Sequence, residues 1–263
     1  MSHDLYELAR QVGLEASAFV RTNRPSGRVD VAATKSSATD VVTELDRACE
    51  RLIRERIFAA RPDDGFIGEE GDDIVGTTGV DWVVDPIDGT VNFVHGIPSY
   101  AVSIAARRDG AVVAGHVVNI ATGLEWGAVL GAGSWRHEGD QKVRLAAPQP
   151  PPLAQAIIAT GFNYVPEIRA RQSAAVAKLL PHIADIRRIG SAALELCALA
   201  EGQYDAYVEQ GLHVWDRAAA GLVATEAGFI VTGLDGEPDE RMVMAAHPDA
   251  TAEYFDLVRA CGF

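Results

Sequence analysis

The sequence predicts an α+β fold, and three observations point to it. Two stretches with helical spacing open the chain, a series of strand-like segments divided by tight turns follows, and beyond a proline-rich break strands and helices alternate. The first helix is expected from about residue 4 to residue 21, where Leu5, Leu8, Ala9, Val12, Ala16 and Phe19 recur at helical intervals. A short extended piece, VDVAAT, and a polar loop, KSSATD, lead into a second helix. That helix carries Leu45, Cys49, Leu52, Ile53 and Ile57 on one face, and Pro62 and Gly65 end it.

From GFIGEE to about residue 145 the pattern turns to strands. YAVSIAARR, AVVAGHVVNI, GLEWGAVLG and KVRL, separated by RDG, ATG and HEGD, predict a largely antiparallel meander. APQPPP, residues 147–152, is the clear compositional break and reads as a connector. It divides an N-terminal α+β domain, 1–146, from a C-terminal α/β domain, 147–263, that completes the same site. In the second part AIIATGF, DIRRIG, YDAYVE and FIVT alternate with helical stretches at about 166–180, 191–201 and 215–227, and a last helix begins near Asp249. Such alternation predicts a mixed sheet covered by helices.

Composition narrows the function. The chain has 263 residues, 48% hydrophobic and 23% charged, the balance of a soluble protein with a substantial core. Its 23 basic and 37 acidic side chains give a net charge of −14, which argues against generic binding of nucleic acid or an anionic membrane. A phosphate-bearing substrate stays open, because bound cations reverse a local field. Cys49, Cys197 and Cys261 lie far apart in sequence and suit a reducing cytoplasm. The opening MSHDLYELAR does not read as a signal peptide, and no apolar run approaches the roughly 20 residues that span a bilayer. A cytoplasmic protein is expected.

Chemistry is concentrated in acidic clusters. WVVDPIDGT, residues 82–90, sets Asp85 and Asp88 at the open end of an apolar strand. Glu69 and Glu70 stand in FIGEEGDD, and Asp216 in HVWD. Each alone has an ordinary reading as a solvated turn, overlapping Asp-initiated turns or a helix cap. Together they say more. Each follows an apolar extended run (FIG, WVV, LHVW), and ligands of α/β architectures collect at such strand ends.

If those ends converge, four carboxylates share one small volume and require a counter-charge. A proton can neutralise one pair; for four, a divalent metal is the economical answer. All candidate donors are oxygens, with no thiolate and no His pair at metal spacing, which favours Mg2+ or Mn2+ over zinc. His95 and His213 read as structural or supporting. Gly89 and Thr90 supply what a phosphate needs: a turn into VNFVHG that starts a helix with its N–H groups towards an anion, and a hydroxyl.

The run from Trp82 through Asp85, Pro86, Ile87, Asp88, Gly89 and Thr90 to Phe93 resembles the first signature of the inositol monophosphatase family at every defining position. Gly68-Glu69-Glu70 resembles its upstream acidic element. Trp215-Asp216, followed by Ala218, Ala219, Ala220 and Gly221, resembles its second signature. GIPSYAVSIA and RRIGSAALELC are similar to the bacterial inositol-1-phosphatase branch.

The resemblance implies a layered αβαβα sandwich, a homodimer, and a lithium-sensitive, Mg2+-dependent phosphomonoesterase. Its substrate would be a small phosphorylated polyol, myo-inositol 1-phosphate, cleaved by activated water. Two to three Mg2+ ions are implied, with Mn2+ as a substitute. Glu69, Asp85 and the Ile87 carbonyl would hold the first; Asp85, Asp88 and Asp216 the second; Glu69 and waters a third. Asp46 would pair with Thr90 to orient and deprotonate the water, with Glu70 an adjoining acid. Gly89 and Thr90 would meet the phosphate, and Gly190, Ser191, Ala192 and Glu209 the alcohol. Ser191 stands where the well-studied inositol enzymes carry Thr, and Arg217 where many members carry a small or acidic residue.

Within the family the alternative substrates are histidinol phosphate, a sugar bisphosphate and a 3'-phosphoadenylate. The aspartyl-phosphate phosphatases also place an Asp-rich strand end before a Thr, but with their two aspartates two residues apart, against three here. Some bacterial relatives also act in RNA metabolism as binding partners, so a protein-interaction module is the alternative of another class.

Overall fold

The computed structural model describes residues 2–25, 27, 29, 33–34, 41–139 and 141–263. The KSSATD loop and residues 30–32 of VDVAAT lie outside the described residues. Helix α1 (Ser2–Asn23) and helix α2 (Glu44–Ala60) flank a short antiparallel pair, β1 (Ala33–Thr34) with β2 (Val41–Val42). In α1 the buried positions Leu5, Ala9, Val12, Ala16 and Val20 follow the three- and four-residue spacing that predicted it. Helix α2 starts in a capping box between Thr43 and Asp46, and its buried stripe is Asp46, Cys49, Glu50, Ile53 and Ile57.

The first sheet contains β3 (Gly65–Gly68), β4 (Val80–Asp88), β5 (Ala101–Arg108), β6 (Ala111–Asn119), β7 (Glu125–Val129), β8 (Gly133–Glu138) and β9 (Gln141–Arg144) in chain order, with α3 (Thr90–His95) between β4 and β5. Only β3 and β4 run parallel; the other neighbours are antiparallel, which is the predicted meander. The expected HEGD turn is shorter than read. His137 and Glu138 belong to β8, a strand that a charged residue on its half-exposed face and flanking glycines conceal from a hydrophobicity pattern.

After the connector come β10 (Ile157–Thr160), α4 (Pro166–Leu179), β11 (Asp185–Arg187), α5 (Ala192–Ala200), β12 (Ala206–Glu209), α6 (Val214–Ala227), β13 (Ile230–Thr232), β14 (Val243–Ala246) and α7 (Thr251–Cys261). The sheet order is β11-β10-β12-β14-β13, parallel among the first three and antiparallel in the last two pairings. Here too one strand, β14, was not foreseen.

Alternation along the strands sorts the core into three bodies. Trp82, Val84, Val102 and Ile104 join Leu5, Val12, Ile53 and Ile57 beneath α1 and α2. Val83, Ala105, Val117 and Trp126, from the opposite face of that sheet, meet Leu196, Leu199, Ala219 and Val223 of α5 and α6. Ala159, Tyr207 and Val243 of the second sheet close this body from the other side. Ile158, Val208 and Met244, on the outer face of the second sheet, pack with Leu179, Tyr254 and Val258 of α4 and α7. The layers are therefore α1α2, sheet, α5α6, sheet, α4α7: an αβαβα sandwich. The middle body draws residues from both sides of the connector at 147–152. Among the described residues no helix is long and apolar enough to cross a membrane.

Candidate active site

Asp85 and Asp88 are three residues apart, so a regular strand would turn them to opposite faces. The structure avoids this with a bulge. Asp85 pairs with Ser103 and Asp88 with Ala101, three steps on β4 against two on β5. The extra residue puts Ile87 into the core beneath α1 and α2 and leaves both carboxylates on the face towards α6. Ile87 N donates to Asp85 Oδ1 at 3.0 Å, which holds the turn.

The helix expected from about residue 215 is present and carries Asp216, but the LHVW run ahead of it is not the extended segment also expected. Helix α6 begins at Val214, and Asp216 lies in its first turn, accepting the His213 N–H at 2.7 Å. The apolar run before it is therefore the entry to a helix, because the capping geometry and the burial of Leu212 decide what a few apolar residues cannot. Asp85, Asp88 and Asp216 each present a carboxylate oxygen, and these oxygens lie within 4.8 Å of one another.

Asp88 is also tied to α5. Its Oδ2 accepts from Ser191 Oγ at 2.5 Å and from Ala193 N at 2.8 Å, and Ser191 Oγ in turn caps α5 by accepting Leu194 N at 3.3 Å. Ser191 thus grips an acidic residue of the cleft as well as lining it. Gly89 follows with φ +92°, and a Cβ there would stand 2.9 Å from Ser99 O and 3.1 Å from Gly190 O, so no other residue fits the turn unstrained. Thr90 Oγ1 lies 3.2 Å from Asp46 Oδ1 and 3.1 Å from Ile87 O. Asp46, fully buried, is held by Thr43 N at 2.9 Å and by the Thr43 hydroxyl.

A cleft of about 320 Å3 opens over this group. Glu69, Asp85, Ile87, Asp88, Gly89, Thr90, Gly190, Ser191, Ala192, Glu209 and Asp216, all singled out from the sequence, line it together. Asp46 reaches it through Thr90. Glu70 is not among its lining residues; its N–H donates to Glu50 Oε2 at 2.7 Å. Phe162, Asn163, Tyr164, Arg188, Gln210 and Trp215 also line it and were not anticipated as lining residues. Most of them follow the carboxyl ends of the parallel strands β10, β11 and β12, so the strand-end rule applied to GFNY and RRIG would have found them. His213, read as supporting, caps α6, stacks on Trp215 at 4.8 Å and also faces the cleft.

Electrostatics describes an unmet demand for positive charge. Burial raises the Asp85 carboxyl well above its ordinary range, and the neighbouring Glu69, Asp88 and Asp216 raise it further. Asp216 is raised by burial and then by Glu69 and Asp88. Burial pushes Asp88 up to about 6, against the hydrogen bonds from Ser191 and Ala193 that favour its charge. Glu209 is pushed up to about 7 by burial, although the Tyr207 hydroxyl donates to it at 2.5 Å. Several carboxylates that resist ionisation side by side, offering only hard oxygen donors, fit a divalent cation of the Mg2+ type.

The comparisons agree with this geometry. The family model for the inositol monophosphatase family matches residues 1–261. An inositol-1-monophosphatase SuhB of Mycobacterium tuberculosis is 45% identical over 239 residues, covering 85% of this chain and 82% of its own length. A Nus factor SuhB of Pasteurella multocida is 36% identical over 239 residues, covering 89% and 88%. The solved structure of Mycobacterium tuberculosis SuhB superposes with a TM-score of 0.85 at 39% identity, over 100% of this chain and 98% of that one. A cleft that gathers the acidic motifs at one mouth of an αβαβα sandwich, together with a match along nearly the whole sequence, places the chain in the inositol monophosphatase family.

Proposed function

We propose that this chain is a divalent-metal-dependent phosphomonoesterase acting on a small phosphorylated polyol, with myo-inositol 1-phosphate as the substrate. The observation that carries the reading is the convergence of Asp85, Asp88 and Asp216, with oxygens within 4.8 Å, on a cleft that also exposes Thr90. Glu69, Asp85, Asp88, Asp216 and the Ile87 carbonyl would hold Mg2+, or Mn2+ in its place. Bound there, the metal supplies Lewis-acid stabilisation of phosphoryl charge and lowers the cost of ionising a water.

The chain's own residues orient the rest. Thr90 has one hydroxyl proton and two acceptors, Asp46 Oδ1 and Ile87 O. Donating to Asp46, the Thr90 hydroxyl would keep a lone pair to accept from a water in the cleft. The water's proton then passes to Thr90 as Thr90's own moves to Asp46, whose position is held by Thr43. Helix α3 makes its first internal bond from Phe93 N to Gly89 O, so the N–H groups of Thr90 and Val91 precede the ladder and suit phosphate oxygens. Glu209 stands at the alcohol end, where Tyr207 holds one oxygen and the other can accept from ring hydroxyls.

Purified protein assayed with Mg2+ against myo-inositol 1-phosphate, histidinol phosphate, a sugar bisphosphate and a 3'-phosphoadenylate tests this. The expected result is preference for the inositol ester and loss of all activity in EDTA. Turnover of histidinol phosphate alone would overturn the alcohol assignment. Metal-independent turnover, or phosphate trapped covalently on Asp85, would overturn the mechanism.

A second reading, a binding role in RNA metabolism, is supported by the Nus factor name of the Pasteurella multocida relative. Its mark would be an Asp88→Asn protein, devoid of activity, that still performs the cellular role.

A further inference from the structure

Two carboxylates lie one helical turn apart on the buried stripe of α2, Asp46 at 0% and Glu50 at 3% exposure. Asp46 serves Thr90. Glu50 takes no part in the chemistry above, yet a buried carboxylate is costly unless its partners hold it. Those partners are definite. Arg54 Nη2 donates to Oε1 at 3.1 Å, and the Glu70 backbone N–H donates to Oε2 at 2.7 Å. Arg54 in turn lies over the Phe66 ring at 4.8 Å and donates to Asp72 O at 3.4 Å. The acidic turn is cut to fit this pair. A Cβ on Gly68 would stand 2.5 Å from Glu50 Oε2, and one on Gly71 would stand 2.5 Å from Arg54 Nη2 and 2.8 Å from Glu50 Oε1.

The turn needs such an anchor. It leaves β3, a four-residue strand at the edge of its sheet whose outer side makes only the isolated pair Phe66–Ile74, so no ladder continues through Glu69 and Glu70. Glu69 lines the same cleft as Asp85, Asp88 and Asp216, so wherever these groups ionise together without a counter-charge the turn is pushed outward. We propose that Glu50 is a positioning residue: it docks the turn 68–71 on α2 and thereby sets where the Glu69 carboxylate stands relative to Asp85. Because Asp46 projects from the same helix one turn earlier, α2 holds the Thr90–Asp46 pair and the acidic turn in one frame. This rests on the metal-dependent reading above.

Mn2+ binding to substrate-free protein, counted from the electron paramagnetic resonance of the free ion, tests it. Glu50→Asp keeps the charge for Arg54 but is one methylene too short to reach the Glu70 N–H. Glu50→Gln keeps the reach and an acceptor oxygen. The expected result is a Mn2+ dissociation constant about tenfold to a hundredfold weaker in Glu50→Asp, the usual effect of removing a group that orients a ligand, and largely restored in Glu50→Gln. At saturating metal the KM for substrate should stay at the wild-type value in both.

If Glu50→Asp does not fold, Gly68→Ala, which presses on the same carboxylate from the turn side, carries the same expectation. Wild-type Mn2+ affinity in Glu50→Asp overturns the proposal. So does an equal loss in Asp and Gln variants with matching drops in melting temperature, the signature of a merely structural ion pair. Absence of saturable Mn2+ binding by the wild type would instead bring down the metal-dependent reading, and this inference with it.

Discussion

Replacing Asp88 by Asn tests the electrostatics of the cleft through stability, independently of turnover. In the metal-free protein burial pushes the Asp88 carboxyl from 3.8 to about 6. A folded-state value above the unfolded one gives a contribution that is fully present below pH 3.8 and is lost as pH rises through about 6. Worked through, ionisation of Asp88 costs the fold about 1.6 kcal/mol at pH 5 and about 3 kcal/mol at pH 8. Asn never carries that charge, and its oxygen still accepts from Ser191 Oγ and Ala193 N, which stand at 2.5 and 2.8 Å. Its NH2 group meets the remaining aspartates, which accept.

In EDTA at pH 8 the variant should therefore melt above the wild type, by roughly 6–12 °C for about 3 kcal/mol in a chain of this size, and the gap should about halve at pH 5. Mg2+ at about a thousand times its dissociation constant should reverse the order, since it then adds about 4.1 kcal/mol to the protein that binds it. Differential scanning fluorimetry with EDTA or Mg2+ at both pH values reads all four melting temperatures. A variant less stable than wild type in EDTA at pH 8, or a gap that does not change with pH, would refute the reasoning.

Other substitutions probe separate parts of the site. Thr90→Ala removes the hydroxyl that links Asp46 to the cleft, so kcat at saturating Mg2+ should fall by about a hundredfold or more with KM little changed; a loss confined to KM would place Thr90 in binding alone. Glu209→Gln keeps shape and loses charge, so KM for inositol 1-phosphate should rise about tenfold while a simple aryl phosphate is spared, and parallel changes for both substrates would remove Glu209 from recognition. Gly89→Ala forces a side chain into φ +92° against Ser99 O, so urea unfolding should show a loss of about 1–3 kcal/mol together with slower turnover; an unperturbed denaturation midpoint would count against the tight turn.

Local rules carried much of this protein in its sequence. Helices α1 and α2 were legible because burial at intervals of three and four needs no knowledge of what lies opposite, and the DGT turn announced α3 because turn residues too act locally. The acidic residues at strand ends and their oxygen-only chemistry were legible too, because residue type decides which cation they suit. What the sequence concealed depended on distant partners. Strands β8 and β14 are strands by virtue of the neighbours they pair with, since SWRHE and VMAA have no alternation that distinguishes them.

The helix that carries Asp216 was read from about residue 215, but LHVW is its entry and not a strand, because the Asp216–His213 capping bond and the packing of α6 between the sheets outweigh three apolar residues of uncertain type. Asp85 and Asp88 face the same way only because β5 spends two residues against three. The wall of Phe162, Tyr164, Arg188 and Gln210 exists only where three parallel strands end side by side. Residue chemistry is a property of the chain, whereas the direction in which a side chain faces is set by pairing register and layer order, contacts between residues far apart in sequence.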